Sequence, residues 1–415
     1  MLQKIKGTQD WLNLTLFNFI LDAAKKHLQL YQYHQIKTPI LEPTDLFKRS
    51  LGVTTDVVSK EMFIIKSSKE DDAICLRPEA TAPTVRAFLE GGISHVPWKV
   101  FSWGSMFRHE RPQKGRYREF HQITIENIGA ASISNDVELI TMLDRFFHET
   151  CKLQNYALKL NFLGSYEDRN NYNKALLSFL QQHADAICAT CVTRMETNVM
   201  RTLDCKNPAC QEIYTQAPII LDHLSAESKR EWQTLQQQLE LLSVSFAIDP
   251  RLVRGLDYYN KTVFEFVSPD LGAQNTFCGG GRYDGLVHML DGKQSQPACG
   301  AAIGIERLLL LLEPIQEQLA LPTEPALTVI VPLSEQQTMV ALLLADELRA
   351  QHKCAEVLLD GGSMKSLLRR ANKLGATYVA LIGEDEQQKH EVTLKHMHKG
   401  TQERVKQASL IKHIN

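Results

Sequence analysis

Met106-Phe107-Arg108-His109-Glu110-Arg111-Pro112-Gln113-Lys114-Gly115-Arg116-Tyr117-Arg118-Glu119-Phe120-His121-Gln122 is the stretch on which the reading of this chain turns. Just upstream, Trp98-Lys99-Val100-Phe101-Ser102-Trp103 has the texture of a strand. At its downstream end, His121-Gln122-Ile123-Thr124-Ile125-Glu126 alternates polar and apolar residues as a half-buried strand does. Together they predict a hairpin with a basic loop: five Lys or Arg side chains fall between Arg108 and Arg118. Planar guanidinium groups suit phosphate oxygens, and several can hold a triphosphate bent. Phe120 offers a ring on which a flat base could stack. The plainer reading is a solvated basic loop. The flanking strands weigh against it, because a rigid hairpin holds a site better than a free loop.

Working outward, Leu14, Phe17, Leu21, Ala24 and Leu28 recur at helical spacing and predict a helix over 12–33. Beyond it, Pro39 and Pro43 impose extended or turn structure. Residues 62–66 and 73–77 read as paired strands across a polar turn. Thr81 to Glu90 reads as a helix behind Pro78, and 136–153 as another. From about 160 to 245 the composition is more polar and helical, which predicts an insertion. Strands return at 262–267 and 274–278, and Gly279-Gly280-Gly281 reads as turn glycines. A helix begins near Ile305. After the linker Leu321-Pro322-Thr323-Glu324-Pro325, strands and helices alternate over 326–415, the rhythm of a small α/β domain with a largely parallel sheet. Gly361-Gly362-Ser363-Met364-Lys365-Ser366 lacks the Gly before Lys that a phosphate-binding loop needs.

Bulk properties narrow the class. A chain of 415 residues is long for one core and suggests two or three domains. With 44% hydrophobic and 23% charged residues it has the balance of a globular protein. A formal net charge of −2 means that RNA, if bound, is met by local basic patches. The apolar runs Leu14–Leu21 and Leu308–Leu312 fall short of the about 20 residues a bilayer span requires. Met1 to Trp11 lacks a secretory pattern. Nine scattered cysteines, an odd number, point to reduced thiols and a cytoplasmic protein.

Several blocks carry a resemblance. Phe107-Arg108-His109-Glu110 with Arg116, Phe120 and Glu126 resembles motif 2 of the class II aminoacyl-tRNA synthetases. Gly304-Ile305-Glu306-Arg307 resembles motif 3, and Thr38-Pro39-Ile40 through Phe47 resembles motif 1, the dimer-forming segment. Leu76-Arg77-Pro78-Glu79-Ala80-Thr81-Ala82, Leu252-Val253-Arg254-Gly255-Leu256-Asp257-Tyr258-Tyr259 and Cys278 to Gly285 are similar to blocks of the histidyl-tRNA synthetases, as is Lys6-Gly7-Thr8-Gln9-Asp10. Ala80 stands where many members of that family have Gly.

The resemblance implies an α+β fold: a class II antiparallel-sheet catalytic core over 1–322, interrupted by the helical insertion, then a C-terminal α/β anticodon-binding domain over 326–415. It implies ATP-dependent activation of L-histidine and its transfer to the 3′ end of tRNA(His). Magnesium would accompany ATP, the protein would be a homodimer, and no membrane would be involved. Arg108 would meet the α-phosphate, Arg116 and Arg307 the outer phosphates, Glu110 and Phe120 the adenine. Arg254 would sit across the α-phosphate, where other class II enzymes tend to use a metal ion; Arg254 and Arg108 are the catalytic pair. Glu79, Ala80, Thr81, Arg108, Gln122, Glu126, Arg254, Tyr258 and Tyr259 would form the histidine site. Read as chemistry, Glu79, Thr81 and Gln122 can accept from an ammonium, while Glu126 and Tyr259 can bond the two ring nitrogens of an imidazole. Such a pocket discriminates by roughly 10⁴-fold or more without editing. On the last domain Arg369, Arg370 and Lys373 are candidate phosphate contacts, or equally a solvated basic face.

Two alternatives frame this reading. One is a regulatory, non-catalytic paralogue, which would be expected to lack the C-terminal domain and to erode the ATP-binding arginines. The other is an RNA-sensing module attached to a kinase. This chain keeps Arg108, Arg116, Arg254 and Arg307 and has no kinase motif. No metal site is assigned. Cys188-x₂-Cys191 and Cys205-x₄-Cys210 could hold tetrahedral zinc, but the second spacing is wide and the family requires no metal there; reduced structural thiols are the other reading.

Overall fold

The computed structural model describes residues 2–53, 55–66, 73–291, 293 and 295–414. The chain divides after Leu321 into two compact units.

The first unit is built on an eight-stranded sheet in the order β1-β5-β6-β11-β10-β9-β7-β8. The strands are β1 (His34–Gln35), β5 (Trp98–Phe107), β6 (Glu119–Ile128), β7 (Ala157–Phe162), β8 (Ala247–Ile248), β9 (Asn260–Val267), β10 (Thr276–Arg282) and β11 (Ala298–Gly304). The six inner strands pair antiparallel, and the two-residue β1 and β8 lie parallel at the edges. A small second sheet, β2-β4-β3, joins β2 (Leu41–Pro43), β3 (Ile64–Ile65) and β4 (Ile74–Leu76). Residues 67–72, the polar turn expected between β3 and β4, lie outside the described residues.

Helices α1 (Thr15–Leu30), α4 (Ser134–Arg145) and α10 (Ile305–Leu312) share one hydrophobic core with the sheet. The helix expected over 12–33 starts only at Thr15, whose amide is taken by the Asn13 side chain. Strand periodicity sorts β6. Ile123 and Ile125 point into that core, while Thr124 and Glu126 point to the other face, and both sets are buried. So the strand is not half-buried: its polar face is covered too. The cover comes from α2 (Thr44–Leu51), α3 (Thr81–Glu90), α9 (Leu286–Asp291) and the insertion.

The insertion begins later than about 160, because β7 is an inner strand of the sheet. Its helices are α5 (Tyr166–Gln181), α6 (Ala189–Thr197), α7 (Pro208–Tyr214) and α8 (Ala226–Leu241). Asp168 ties two of them. It completes a capping box with Ser165 on α5 and accepts from the Ser225 amide (2.7 Å) and the Ser228 hydroxyl (2.5 Å) at the start of α8.

A second correction concerns Gly279-Gly280-Gly281. They are not turn glycines but the middle of β10, between β9 and β11. A run of glycine has poor strand propensity. It is needed here because a Cβ on Gly280 would strike the Gly300 carbonyl oxygen and Ala301 on β11.

The second unit is a five-stranded sheet, β13-β12-β14-β15-β16: β12 (Leu327–Pro332), β13 (Cys354–Val357), β14 (Tyr378–Ile382), β15 (Glu391–His396) and β16 (Gln402–Lys406). The helices are α11 (Thr338–Ala350), α12 (Met364–Lys373) and the short α13 (Glu384–Lys389). The expectation of a largely parallel sheet is half met. β13, β12 and β14 are parallel, but β15 and β16 add as an antiparallel hairpin. Gly361 and Gly362, both at positive φ, form the turn into α12, which Ser363 caps. Helix α12 buries Leu367 and Ala371 and leaves Arg369 and Lys373 exposed; Arg370 pairs with Asp360 at 2.8 Å.

Candidate active site

On the polar face of the central sheet lies a cavity of about 440 Å³. Its size falls in the range of small-molecule sites. Twelve of the thirteen residues expected to form the ATP and histidine sites line it: Glu79, Ala80, Thr81, Arg108, Glu110, Arg116, Phe120, Gln122, Arg254, Tyr258, Tyr259 and Arg307. They come from separate stretches of chain, so the fold rather than sequence proximity gathers them. A larger cleft of about 1020 Å³ borders the other side of the 254–260 loop against α5 and the insertion. It shares Arg254 but none of the other three arginines, so the smaller cavity holds the chemistry.

The hairpin β5–β6 supplies one wall. Arg108 donates from Nε to the Pro78 carbonyl (2.9 Å), and its guanidinium lies over the Phe120 ring, 5.4 Å from the centroid. Glu110 pairs with Arg116. From the first turn of α10, Arg307 donates to the Gly115 carbonyl (2.9 Å) and to the Thr276 carbonyl, tying the hairpin tip to β10. Glu306 beside it accepts from both the backbone amide and Nδ1 of His121, each at 2.9 Å. Burial presses Arg108 below its ordinary pKa. Burial, with Arg116 and Arg108 nearby, brings Arg307 down to about 10. Cations held against this opposition gain from an anion that enters among them.

Arg254 is anchored from three sides. Its Nη1 pairs with Glu265 on β9, its guanidinium faces the Tyr259 ring at 5.8 Å, and it lies flat on Gly279. A Cβ at Gly279 would sit 2.5 Å from Nη1. Burial opposes the charge of Arg254 most strongly, but Glu265, Tyr259, Tyr258 and Cys278 together outweigh it and hold the pKa above the ordinary arginine value. The Arg254 Nε is buried without a hydrogen-bond partner among the described residues, a donor that a bound acceptor would satisfy. Glu265 is itself fixed by the Thr276 hydroxyl at 2.7 Å. The loop behind Arg254 is clamped by the insertion: Arg201 donates to the Gly255 carbonyl (2.7 Å) and to Asp257 (2.9 Å).

At the opposite end Glu79 accepts from the Thr81 and Ala82 amides at 2.7 and 2.9 Å, which seats it at the start of α3. Burial raises its pKa against the pull of those amides. Ala80 is buried and lines the cavity. Tyr258 and Tyr259 lie side by side, ring centroids 4.6 Å apart.

Glu126 is the residue that departs from expectation. It does not line the cavity. It lies behind the wall, accepting from the Thr81 hydroxyl at 2.6 Å and paired with the Tyr283 hydroxyl. Burial pushes it up to about 8. A Cβ on Gly300 would collide with its carboxylate, so that glycine makes room for it.

Sequence reasoning missed Glu265, Thr276, Glu306, Tyr283 and Arg201. Glu265 carried a faint signal: a lone acid in the apolar strand run Val263-Phe264-Glu265-Phe266-Val267, on the phase that meets Gly279 across the sheet.

With this geometry in hand, comparisons with known proteins are specific. Residues 19–308 match the family model for histidyl-tRNA synthetase, and residues 328–415 match that for an anticodon binding domain. The chain is similar over 100% of both lengths to apo histidyl-tRNA synthetase from S. aureus, at 32% identity and a TM-score of 0.82. It shares the fold of histidyl-tRNA synthetase from Nostoc sp. PCC 7120, at 19% identity and TM-score 0.66, covering 99% of this chain and 98% of that one. It shares it also with an ATP phosphoribosyltransferase regulatory subunit/histidyl-tRNA synthetase from Bacillus halodurans, at 21% identity and TM-score 0.62, covering 89% and 96% respectively.

Proposed function

The chain belongs to the histidyl-tRNA synthetase family, and from that premise we propose how its own residues charge tRNA with histidine. The reaction has two steps. The histidine carboxylate attacks the α-phosphate of ATP and releases pyrophosphate; the adenylate then gives histidine to the 3′ end of tRNA(His). The carboxylate is already a nucleophile, so the first step needs alignment and charge stabilisation rather than a strong base.

The observation that carries this reading is the convergence of Arg108, Arg116, Arg254 and Arg307 with Glu79, Thr81 and Gln122 in one cavity. Arg108 and Arg254 flank the α-phosphate, and the free Nε of Arg254 is the donor that bonds the developing charge. Arg116 and Arg307 hold the outer phosphates. Glu110 and Phe120 take the adenine. Glu79, Thr81 and Gln122 receive the histidine ammonium, with Ala80 against the substrate backbone. Tyr258 and Tyr259 border the imidazole. Glu126 acts through Thr81 and Tyr283, whose hydroxyls it orients, rather than as a direct partner of the ring. Magnesium arrives with the ATP phosphates.

The protein works as a homodimer in the cytoplasm. Support for the dimer lies on the small sheet: Ile40, Leu41, Ile64 and Ile65 are large apolar residues left exposed close together there. For the location, no helix among the described residues is long and apolar enough to cross a membrane. The matched anticodon-binding unit would meet tRNA through exposed Arg369 and Lys373 on α12, with Arg370 beside them.

ATP–pyrophosphate exchange with each of the twenty amino acids tests the proposal. Exchange supported by histidine alone is expected. Equal exchange with another amino acid would overturn the assignment of the pocket.

A further inference from the structure

Within the insertion, Cys188, Cys191, Cys205 and Cys210 bring their four sulfurs within 4.8 Å of one another, the one group of this kind among the described residues. The sequence alone left metal and reduced thiols as alternatives. Folding removes the doubt raised by the wide second spacing. Cys188 precedes α6 and Cys191 lies in its first turn; Cys205 ends a short 3₁₀ segment, Val199–Asp204, and Cys210 lies in the first turn of α7. Two turns thus face each other with two sulfurs apiece. A zinc ion with four Zn–S bonds of about 2.3 Å has sulfur–sulfur edges of about 3.8 Å. The Cys188 and Cys205 sulfurs are 3.8 Å apart, too far for a disulfide and the right edge for a shared ion.

The surroundings suit thiolates. The Cys188 amide donates to the Cys210 sulfur (3.2 Å) and the Asn207 amide to the Cys205 sulfur (3.4 Å), the bonds that orient and stabilise metal-bound sulfur. The side chain of buried Tyr214 lies beside Cys191. Cys191, Cys205 and Cys210 are buried and Cys188 is partly exposed, which leaves an entry path and a closed shell.

We propose that Cys188, Cys191, Cys205 and Cys210 bind one zinc ion, a structural tetrathiolate site that staples the insertion. Binding releases the thiol protons to solvent and forms four Zn–S bonds, with no change of oxidation state. The site closes the loop between Cys191 and Cys205. That loop carries Arg194, which pairs with Asp56 at 3.2 Å, and Arg201, which clamps Gly255 and Asp257. The ion therefore fixes the piece of the insertion that holds the Arg254 loop in place.

The test uses the full-length chain, purified with reductant and without added chelator. Elemental analysis should find close to one zinc per chain, released by a mercurial reagent. Added Co²⁺ in exchange should give the intense visible bands and near-ultraviolet sulfur-to-metal absorption of a tetrahedral tetrathiolate. The double substitution Cys205→Ser, Cys210→Ser should abolish both signals. If that variant does not fold, thiol alkylation of the wild type decides: the four cluster thiols should be protected until a chelator is added. Chelation should also speed tryptic cleavage at Arg194, Arg201 and Lys206. Less than a tenth of an equivalent of zinc with no cobalt spectrum in folded, reduced protein would overturn the proposal. So would disulfides among these four cysteines, or full metal content in the folded double variant.

Discussion

Gly279→Ala is the perturbation that probes the site most finely, because it adds one methyl group without touching a polar atom of the glycine itself. In β10 the new Cβ would stand 2.5 Å from Nη1 of Arg254 and 2.7 Å from both Cζ and Nη2. Carbon and nitrogen in ordinary contact stay roughly 3.5 Å apart, so the guanidinium must rise off the sheet by about 1 Å. Its pairing with Glu265 and the position proposed for it beside the α-phosphate both depend on that height. A displacement of about 1 Å at a reacting centre lowers rate by about 10²-fold. Stability should change little, since the obstacle is the end of a flexible side chain and not backbone. Gly279 also lacks the positive φ that would strain alanine. The assay is the rate of histidyl-adenylate formation in single turnover, with a thermal melt alongside. Gly285→Ala is the control, as a Cβ there meets nothing within 4 Å. Adenylate formation within threefold of wild type in Gly279→Ala would refute the argument that the glycine exists to seat Arg254.

Other consequences arise from the same packing. Glu126 carries a folded pKa of about 8 against an ordinary 4.5. The folded protein thus holds that proton more tightly than the unfolded chain. This stabilisation is full below about pH 4.5 and is lost as pH rises through about 8, a swing on the order of a few kcal/mol. Glu126→Gln should flatten the fall in urea midpoint between pH 6 and 9; an unchanged slope would remove Glu126 as its source. Arg282, 1% exposed, pairs with Asp136 at 2.5 Å and with the Ala130 and Ser132 carbonyls, so Arg282→Met should destabilise the core by about 3–5 kcal/mol in urea titration, and a loss below about 1 kcal/mol would contradict it. Ile64→Asp, on an exposed residue, should shift sedimentation from dimer towards monomer while leaving the fold intact by circular dichroism; an unmoved sedimentation coefficient would place the dimer surface elsewhere.

What the sequence disclosed was governed by periodicity and by side chains whose chemistry has few uses. The β5–β6 hairpin was legible because Ile123 and Ile125 alternate with polar residues and the loop between the strands is dense in Lys and Arg. That Thr124 and Glu126 are buried as deeply was not, since alternation looks the same whether the polar face meets water or a cavity. Gly279 to Gly281 read as a turn because local propensity says so; only the closeness of β11 and of Arg254 explains a glycine strand. The antiparallel β15–β16 hairpin was missed, and without it the rhythm of the last unit reads as a largely parallel sheet. Among site residues the arginines stood out, whereas Glu265, Glu306 and Arg201, which position them or their loops, did not. Glu306 passes for an acid favoured by the first turn of a helix, and Arg201 for one more surface cation in a polar insertion. Their roles exist only through contacts that span many residues of chain, and no local pattern encodes those.

The central claim is that Arg254, seated by Glu265 and Gly279, stabilises charge at the α-phosphate during activation. Histidine-dependent ATP–pyrophosphate exchange in Arg254→Ala, with histidine affinity measured by calorimetry on the same protein, addresses it directly. Exchange should fall about 10²-fold or more with the change mainly in kcat, while histidine still binds. Exchange within threefold of wild type in folded Arg254→Ala would contradict the account.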